Sequence, residues 1–191
     1  MYFFFFKKVF DLLVSLTFLF LLLPLILVTI LIIKLESPGP VFHYSKRVGL
    51  KSKIFLMPKF RTMKLNTPNV ATHKLRNPEH YITKSGKFLR NTSIDEIPQL
   101  ISVLRGQMSL VGPRPALFNQ YDLIKLRKSK KIDKILPGIT GLAQIKGRDM
   151  ISITKKIEYD YDYLLTRSFS KDLNILLITF LKFFSKKEIS H

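Results

Sequence analysis

Apolar residues are spread unevenly along the chain. From Leu12 to Ile33 there are 22 residues without a charge, interrupted only by Ser15, Thr17, Pro24 and Thr29. As a straight helix at about 1.5 Å per residue, this run reaches ~33 Å, enough to cross the hydrocarbon core of a bilayer. It is longer than the apolar region of a secretion signal, and no small-residue cleavage site follows it, so the pattern predicts a retained membrane segment. Pro24 stands in the middle of the run. Its ring removes a backbone donor and crowds the preceding turn, which predicts a kink between Leu12–Leu23 and Leu25–Ile33. Lys7 and Lys8 precede the run, and Lys34, Lys46 and Arg47 follow it. Positive charge on both sides favours keeping both flanks in the cytoplasm, as a re-entrant helix would. A single kinked spanning helix is the alternative that the run alone allows.

Past Ser37-Pro38-Gly39-Pro40 the apolar pattern shortens, and a second unit begins. Ile54 to Met63 reads as a strand that Pro58 confines to an edge or a bulge. Its alternation places Lys59 and Arg61 on one face, Phe60 and Thr62 on the other. Residues 66–80 read as loop. Helices are predicted from Asp95 to Leu104, ending at Gly106, then over Gln120–Lys131 and Lys155–Leu165. The last apolar run, Leu173 to Phe184, has 12 residues, too few to span; it predicts either an interfacial helix or a buried one. The expected fold is α+β: a membrane-anchoring helix over 1–36, then a small helix-rich domain over 37–191 with short strands.

Charge narrows the partners. The 191 residues carry 32 Lys and Arg against 13 Asp and Glu, a net charge of +19, which implies an anionic partner: nucleic acid, anionic lipid or a phosphorylated substrate. No acid occurs between Glu36 and Glu79. Juxtamembrane cations gain about 1 kcal/mol each near an anionic leaflet, which accounts for Lys46 to Lys53. The chain has no cysteine, so disulfides, a thiol nucleophile and thiolate metal sites are excluded. The four histidines show no helical pairing and are read as non-ligands. Glu158, Asp160, Asp162 and Asp172 are read as structural, neutralising nearby Lys and Arg.

Against this basic background Asp95 and Glu96 stand side by side at a predicted helix start. Ser93-Ile94-Asp95-Glu96 fits a capping box, in which Ser93 caps the helix and Glu96 reaches back. The competing reading is chemical. Two carboxylates facing a pyrophosphate require a divalent cation between them, the usual setting for Mg²⁺, and an Asp can serve as covalent nucleophile in phosphoryl transfer. Arg90 and Arg114, the latter between two prolines, offer planar donor forks for phosphate oxygens. Three glycines in Pro137–Asp149 suit either a close approach to phosphate or plain turns.

Arg90 to Pro115, Lys59-Phe60-Arg61-Thr62-Met63, and Pro137 to Asp149 together resemble the bacterial sugar transferases, small monotopic phosphoglycosyl transferases, along nearly the whole chain. The resemblance implies a catalytic domain on the cytoplasmic face of the bacterial inner membrane. There it moves a sugar phosphate from a UDP-sugar to polyprenyl (undecaprenyl) phosphate with release of UMP, as the first membrane step of a surface polysaccharide. It implies Asp95 as nucleophile through an aspartyl phosphosugar, Glu96 as the neighbouring acid, and Mg²⁺ at Asp95. Lys59, Arg61, Arg90, Arg114, Gln144 and Arg148 become substrate-binding residues. The chain departs from the family pattern with Leu23 where Ser is typical before Pro24, Leu136 for Arg, Leu142 for an aromatic and Asp149 for Asn. A homodimer is compatible with this reading. The rival is a non-catalytic, membrane-tethered basic protein that binds anionic lipid or nucleic acid; it leaves the acid pair unexplained, and no nucleic-acid reading motif is present.

Overall fold

The computed structural model describes residues 2–67, 77–147 and 151–184. Helices α1 (Tyr2–Leu21) and α2 (Leu23–Glu36) form a bent pair, 60° apart. The predicted kink is present, but the corner lies at Leu22 (φ −88°, ψ 3°), with Pro24 in the first turn of α2. A proline is tolerated there because that N–H has no intrahelical partner, so the break falls ahead of the ring. Leu22 N donates to Phe18 O and Ile26 N to Leu22 O, both at 2.9 Å, carrying the hydrogen bonding through the corner. Among the described residues no single helix is long and apolar enough to cross a membrane; only the bent pair has the length and composition.

The remaining elements follow in chain order: β1 (Phe42–Val48), β2 (Ile54–Phe60), α3 (Lys84–Asn91), α4 (Gln99–Leu104), β3 (Ser109–Val111), β4 (Ala116–Leu117), α5 (Tyr121–Ser129), β5 (Gly138–Thr140), α6 (Leu142–Gly147), α7 (Ile153–Thr166) and α8 (Phe169–Phe184). Antiparallel β2-β1-β4 form one sheet and parallel β3-β5 another, so the mixed α+β expectation holds. Strand β2 is an edge, where Pro58 costs no ladder bond. It ends at Phe60 rather than Met63: Arg61 N makes a last bond to Val41 O at 2.8 Å, and Thr62 O accepts instead from Thr83 N.

The predicted helix from Asp95 is two pieces. Asp95 and Glu96 lie on a 3₁₀ turn, Ile94–Glu96, and α4 starts only after Pro98, its N-cap. Gly106 (φ +68°) stops α4 as expected, since a left-handed residue after a helix favours glycine. Helices α5, α7 and α8 match the predicted stretches; α6 falls within the glycine block expected to be loop, and α3 in a stretch given no prediction.

The helical pair and the domain share their cores. Phe10, Val14 and Leu19 of α1 pack against Leu100, Val111 and Ile175, while Ile30 and Ile33 of α2 pack with Phe60 and Leu89. Phe6 and Phe10 both meet the Phe169 ring edge-on at 5.0 Å. A buried polar cluster reinforces this joint. Lys7 Nζ lies 2.6 Å from Asp172 Oδ2 and 3.8 Å from Asp11 Oδ2. Ser109 Oγ donates to Asp11 and Tyr163 OH to Asp172, both at 2.6 Å. Burial and the Asp172 charge push the Tyr163 pKa up, so the phenol remains a donor. At the other end of the pair, Arg61 donates to the carbonyls of Ser37 (2.8 Å) and Pro38 (2.7 Å). Both ends of the bent pair are therefore bonded to one folded body, while Leu13, Leu16, Phe20, Leu27 and Leu31 stay exposed.

Candidate active site

Ser93 adopts a left-handed conformation (φ 53°) that breaks the chain direction after α3 and starts the 3₁₀ turn. Its side chain makes no cap bond, so the capping box does not form. Glu96 turns its carboxylate elsewhere. Arg114 grips it with two nitrogens, Nη2 to Oε1 at 2.6 Å and Nη1 to Oε2 at 3.3 Å, and Lys59 Nζ reaches Oε1 at 2.6 Å. The same lysine lies 3.5 Å from Asp95 Oδ2. Asp95, Glu96, Lys59 and Arg114 thus meet in one cluster, built from the 3₁₀ turn, the end of β2 and the Pro113-Arg114-Pro115 turn. Side-chain exposure rises from 9% at Asp95 to 32% at Arg114, so the cluster opens on one flank.

Burial works to raise the Glu96 pKa, but the Arg114 and Lys59 charges and their hydrogen bonds overcome it and hold the carboxyl well below the usual carboxylate range. Glu96 is a fixed anion at neutral pH. That makes it an orienting group and a poor proton carrier, since a useful carrier titrates near the working pH.

Arg90, at the end of α3, donates Nε to Thr62 Oγ1 at 2.9 Å. Burial lowers its pKa, and the nearby Asp95 charge acts in the opposite sense, which places Arg90 on the Asp95 side of the cluster. Arg61 goes elsewhere. Arg61 is 6% exposed and its two terminal nitrogens bond Ser37 and Pro38, so it fastens the exit of α2 and does not line the acid cluster. Strand alternation from Lys59 failed there because the carbonyls at the exit of α2 draw the Arg61 side chain away from the acids.

Gly138 and Gly141 serve packing. A Cβ on Gly138 or Gly141 would collide with the Gly112 backbone, so these residues let β5 cross close to the Gly112-Pro113 segment. Gly138 N donates to Pro113 O at 2.9 Å. Among the described residues neither amide atom of Gln144, on α6, has a hydrogen-bond partner, and both atoms are buried. Arg148 and Asp149 lie outside the described residues.

Sequence reasoning passed over Arg47 and Arg127, counted only as basic residues. Arg47 Nη1 donates to Pro115 O at 3.1 Å and Arg127 Nη1 to Arg114 O at 2.7 Å. The one signal available for Arg127 was its place, an arginine at the apolar spacing of α5 four residues after Leu123. Lys7 and Asp11 carried a similar signal, a charged pair one helical turn apart just before the apolar run.

The family described as "Bacterial sugar transferase" matches residues 2–186. An uncharacterized sugar transferase of Bacillus subtilis, EpsL, is 42% identical over 91% of this chain and 84% of its own length. The UDP-glucose:undecaprenyl-phosphate glucose-1-phosphate transferase of Klebsiella pneumoniae is 38% identical over 95% of this chain. The UDP-N-acetylgalactosamine-undecaprenyl-phosphate N-acetylgalactosaminephosphotransferase of Aeromonas hydrophila is 36% identical over 91% of it. This chain spans 41% and 42% of those last two proteins. With the match covering nearly every described element, the acid cluster included, the chain belongs to the bacterial sugar transferase family.

Proposed function

We propose that this enzyme transfers a sugar phosphate from a UDP-sugar to polyprenyl phosphate, with Asp95 as a covalent nucleophile. The observation that carries the reading is the meeting of the adjacent acids with Lys59 and Arg114 in one cluster. Glu96 is held by Arg114 and Lys59, and Asp95 lies 3.5 Å from the same lysine, in a cluster that opens on one flank. One Asp95 oxygen attacks the sugar-side phosphorus of the nucleotide sugar; the phosphorus–oxygen bond to the nucleotide breaks, and UMP leaves with the electron pair. A phosphate oxygen of the lipid then attacks the same phosphorus, the acyl phosphate bond breaks, and the Asp95 carboxylate returns. Both attacking groups are already anions, so neither step needs a base, which agrees with Glu96 being locked in place. Lys59, Arg90 and Arg114 offset the negative charge gathering on the phosphoryl oxygens, and Gln144 offers its amide to the nucleotide.

Among the described residues no three His, Asp or Glu converge as a metal cage. The donor set suits Mg²⁺, which binds through one or two carboxylates and completes its shell with phosphate oxygens and water. Asp95 would hold it together with the substrate, and the ion supplies charge neutralisation there.

Membrane attachment follows from the apolar faces. The exposed residues of α1 and α2, and the α8 stripe Leu173, Leu177, Phe180 and Leu181 opposite buried Ile175, suit insertion and an interfacial helix. Two ends fastened to one body favour a re-entrant pair over a spanning helix, with the domain on the cytoplasmic face. The relatives' names differ in the sugar, so the donor is taken as a UDP-sugar without further choice.

The test is UMP release from a panel of UDP-sugars by purified protein with undecaprenyl phosphate and Mg²⁺. One donor should give UMP and a lipid-linked sugar diphosphate in equal amounts. Absence of UMP from every donor would sink the reading and favour the non-catalytic lipid-binding alternative.

A further inference from the structure

The Pro113-Arg114-Pro115 turn is held from outside at three successive carbonyls. Its prolines bring no N–H, so the turn has few donors of its own, and its carbonyls look for partners elsewhere. Pro113 O accepts from Gly138 N at 2.9 Å, Arg114 O from Arg127 Nη1 at 2.7 Å, and Pro115 O from Arg47 Nη1 at 3.1 Å.

Arg127 differs from the other two donors in being held by a buried carboxylate from another helix. It is 8% exposed, and its Nε (3.0 Å) and Nη2 (2.6 Å) both bond Asp160 Oδ2 on α7. Asp160 is 2% exposed. With two nitrogens committed to the carboxylate, the planar fork aims the third at the Arg114 carbonyl. Stability alone gives little reason for such a pair, because apolar residues of similar volume usually serve as well in a buried place. Nor does the contact between α5 and α7 depend on it, since Leu123, Ile132 and Ile157 already pack there with Ala116.

We propose that Asp160 and Arg127 are positioning residues for the transfer reaction. They fix the backbone of Arg114, and through it the fork that keeps Glu96 beside Asp95. The chain of contacts runs from Asp160 to Arg127, to the Arg114 carbonyl, and from the Arg114 guanidinium to Glu96. The proposal rests on the transfer reading for the reaction affected, while the contacts stand apart from it.

The test replaces the pair by apolar residues, Arg127→Met with Asp160→Leu, which spares the fold the unpaired charge that a single change would leave. The double variant should unfold within about 5 °C of the parent. Its kcat for UMP release should fall roughly tenfold or more, with KM for the UDP-sugar changed less than about threefold, because the loss concerns geometry and not donor binding. On an Arg114→Ala background the same double change should cost less than about twofold, since residues acting through one group are not additive. A folded double variant with parental kcat, or the full loss repeated on the Arg114→Ala background, would overturn the proposal. A second cycle needs no activity. Glu96→Gln and Arg114→Gln should be coupled in unfolding temperature when Arg127 and Asp160 are present and uncoupled in the apolar variant; equal coupling in both would overturn the clamp. If the parent itself releases no UMP from any donor, the transfer reading falls, and this melting cycle alone decides whether the clamp exists.

Discussion

Two clusters in this protein use the same parts, a lysine between two carboxylates. At the site Lys59 faces Asp95 and Glu96; at the joint with α1, Lys7 faces Asp11 and Asp172. They differ in origin and in what completes them. Asp95 and Glu96 are adjacent on one rigid turn, and a second cation, Arg114, adds to Lys59 from an exposed flank. Lys7 and Asp172 are 165 residues apart, their side chains are 16% and 3% exposed, and hydroxyls of Ser109 and Tyr163 complete the network from inside. The first cluster sets two cations against two carboxylates and stays open on one flank. The second sets one lysine against two carboxylates and makes up the difference with hydroxyl donors, away from solvent. Similar chemical groups thus make a site where access remains, and a staple where it is closed.

The largest expected effect comes from the same substitution in each cluster. Asp95→Asn should lower UMP release by about a thousandfold or more, as loss of a nucleophile does, with little change in unfolding temperature. Asp172→Asn should do the reverse. Removing one partner of a buried pair costs about 3–5 kcal/mol, so the variant should melt well below the parent while turnover per folded molecule stays within a few-fold of the parent. Parallel melting curves and UMP assays on detergent-solubilised protein decide it. If Asp95→Asn retained substantial turnover, or Asp172→Asn lost turnover without melting earlier, the division between site and staple would be wrong.

This division was only half legible in the sequence. The acid pair, Lys59, Arg90 and Arg114 could be picked out because they lie in short local motifs with rigid punctuation, and the structure gathers them. The length of the strand and of the helix beyond it could not, because tertiary bonds set both. Past β2 Thr62 O accepts from Thr83 N, and Pro98 delays α4 so that the acids sit on their own 3₁₀ turn. The glycines of the 137–147 block looked suited to a ligand, yet Gly138 and Gly141 are consumed by the close approach to Gly112. The staple was legible only in part: Asp172 reads as a structural acid neutralising a cation, which Lys7 bears out, but the two come from opposite ends of the chain and nothing in either segment names its partner.

The staple also bears on topology. Lys7 is bonded to Asp172, and Ser37 is bonded to Arg61, so the N-terminus should lie on the same side of the membrane as the domain. The chain has no cysteine of its own, so single cysteines near residues 3 and 45 give a clean comparison. Both should react with a membrane-impermeant thiol reagent from the cytoplasmic side only. Pro24→Leu should shift part of the population toward a spanning helix by restoring a continuous run. Labelling of residue 3 from outside in the otherwise unaltered protein would break the re-entrant reading and require the Lys7–Asp172 contact to be absent in the membrane.

The smallest effect separates a clamped acid from a proton carrier. The folded-state pKa of Glu96 lies below its unfolded value of 4.5, because Arg114 and Lys59 outweigh burial. A carboxylate depressed in this way contributes stability that is fully present above the unfolded pKa and is lost as pH falls through the folded pKa. The gap in unfolding temperature between the parent and Glu96→Gln should therefore stay constant from about pH 8 to about pH 5.5 and narrow only under more acid conditions. The parent's UMP release should show no ionisation assignable to Glu96 in that range. If instead the gap began to close near neutrality, Glu96 would have a raised pKa, its pairing with Arg114 would be weaker than the geometry indicates, and a proton-transfer role for it would replace the orienting one.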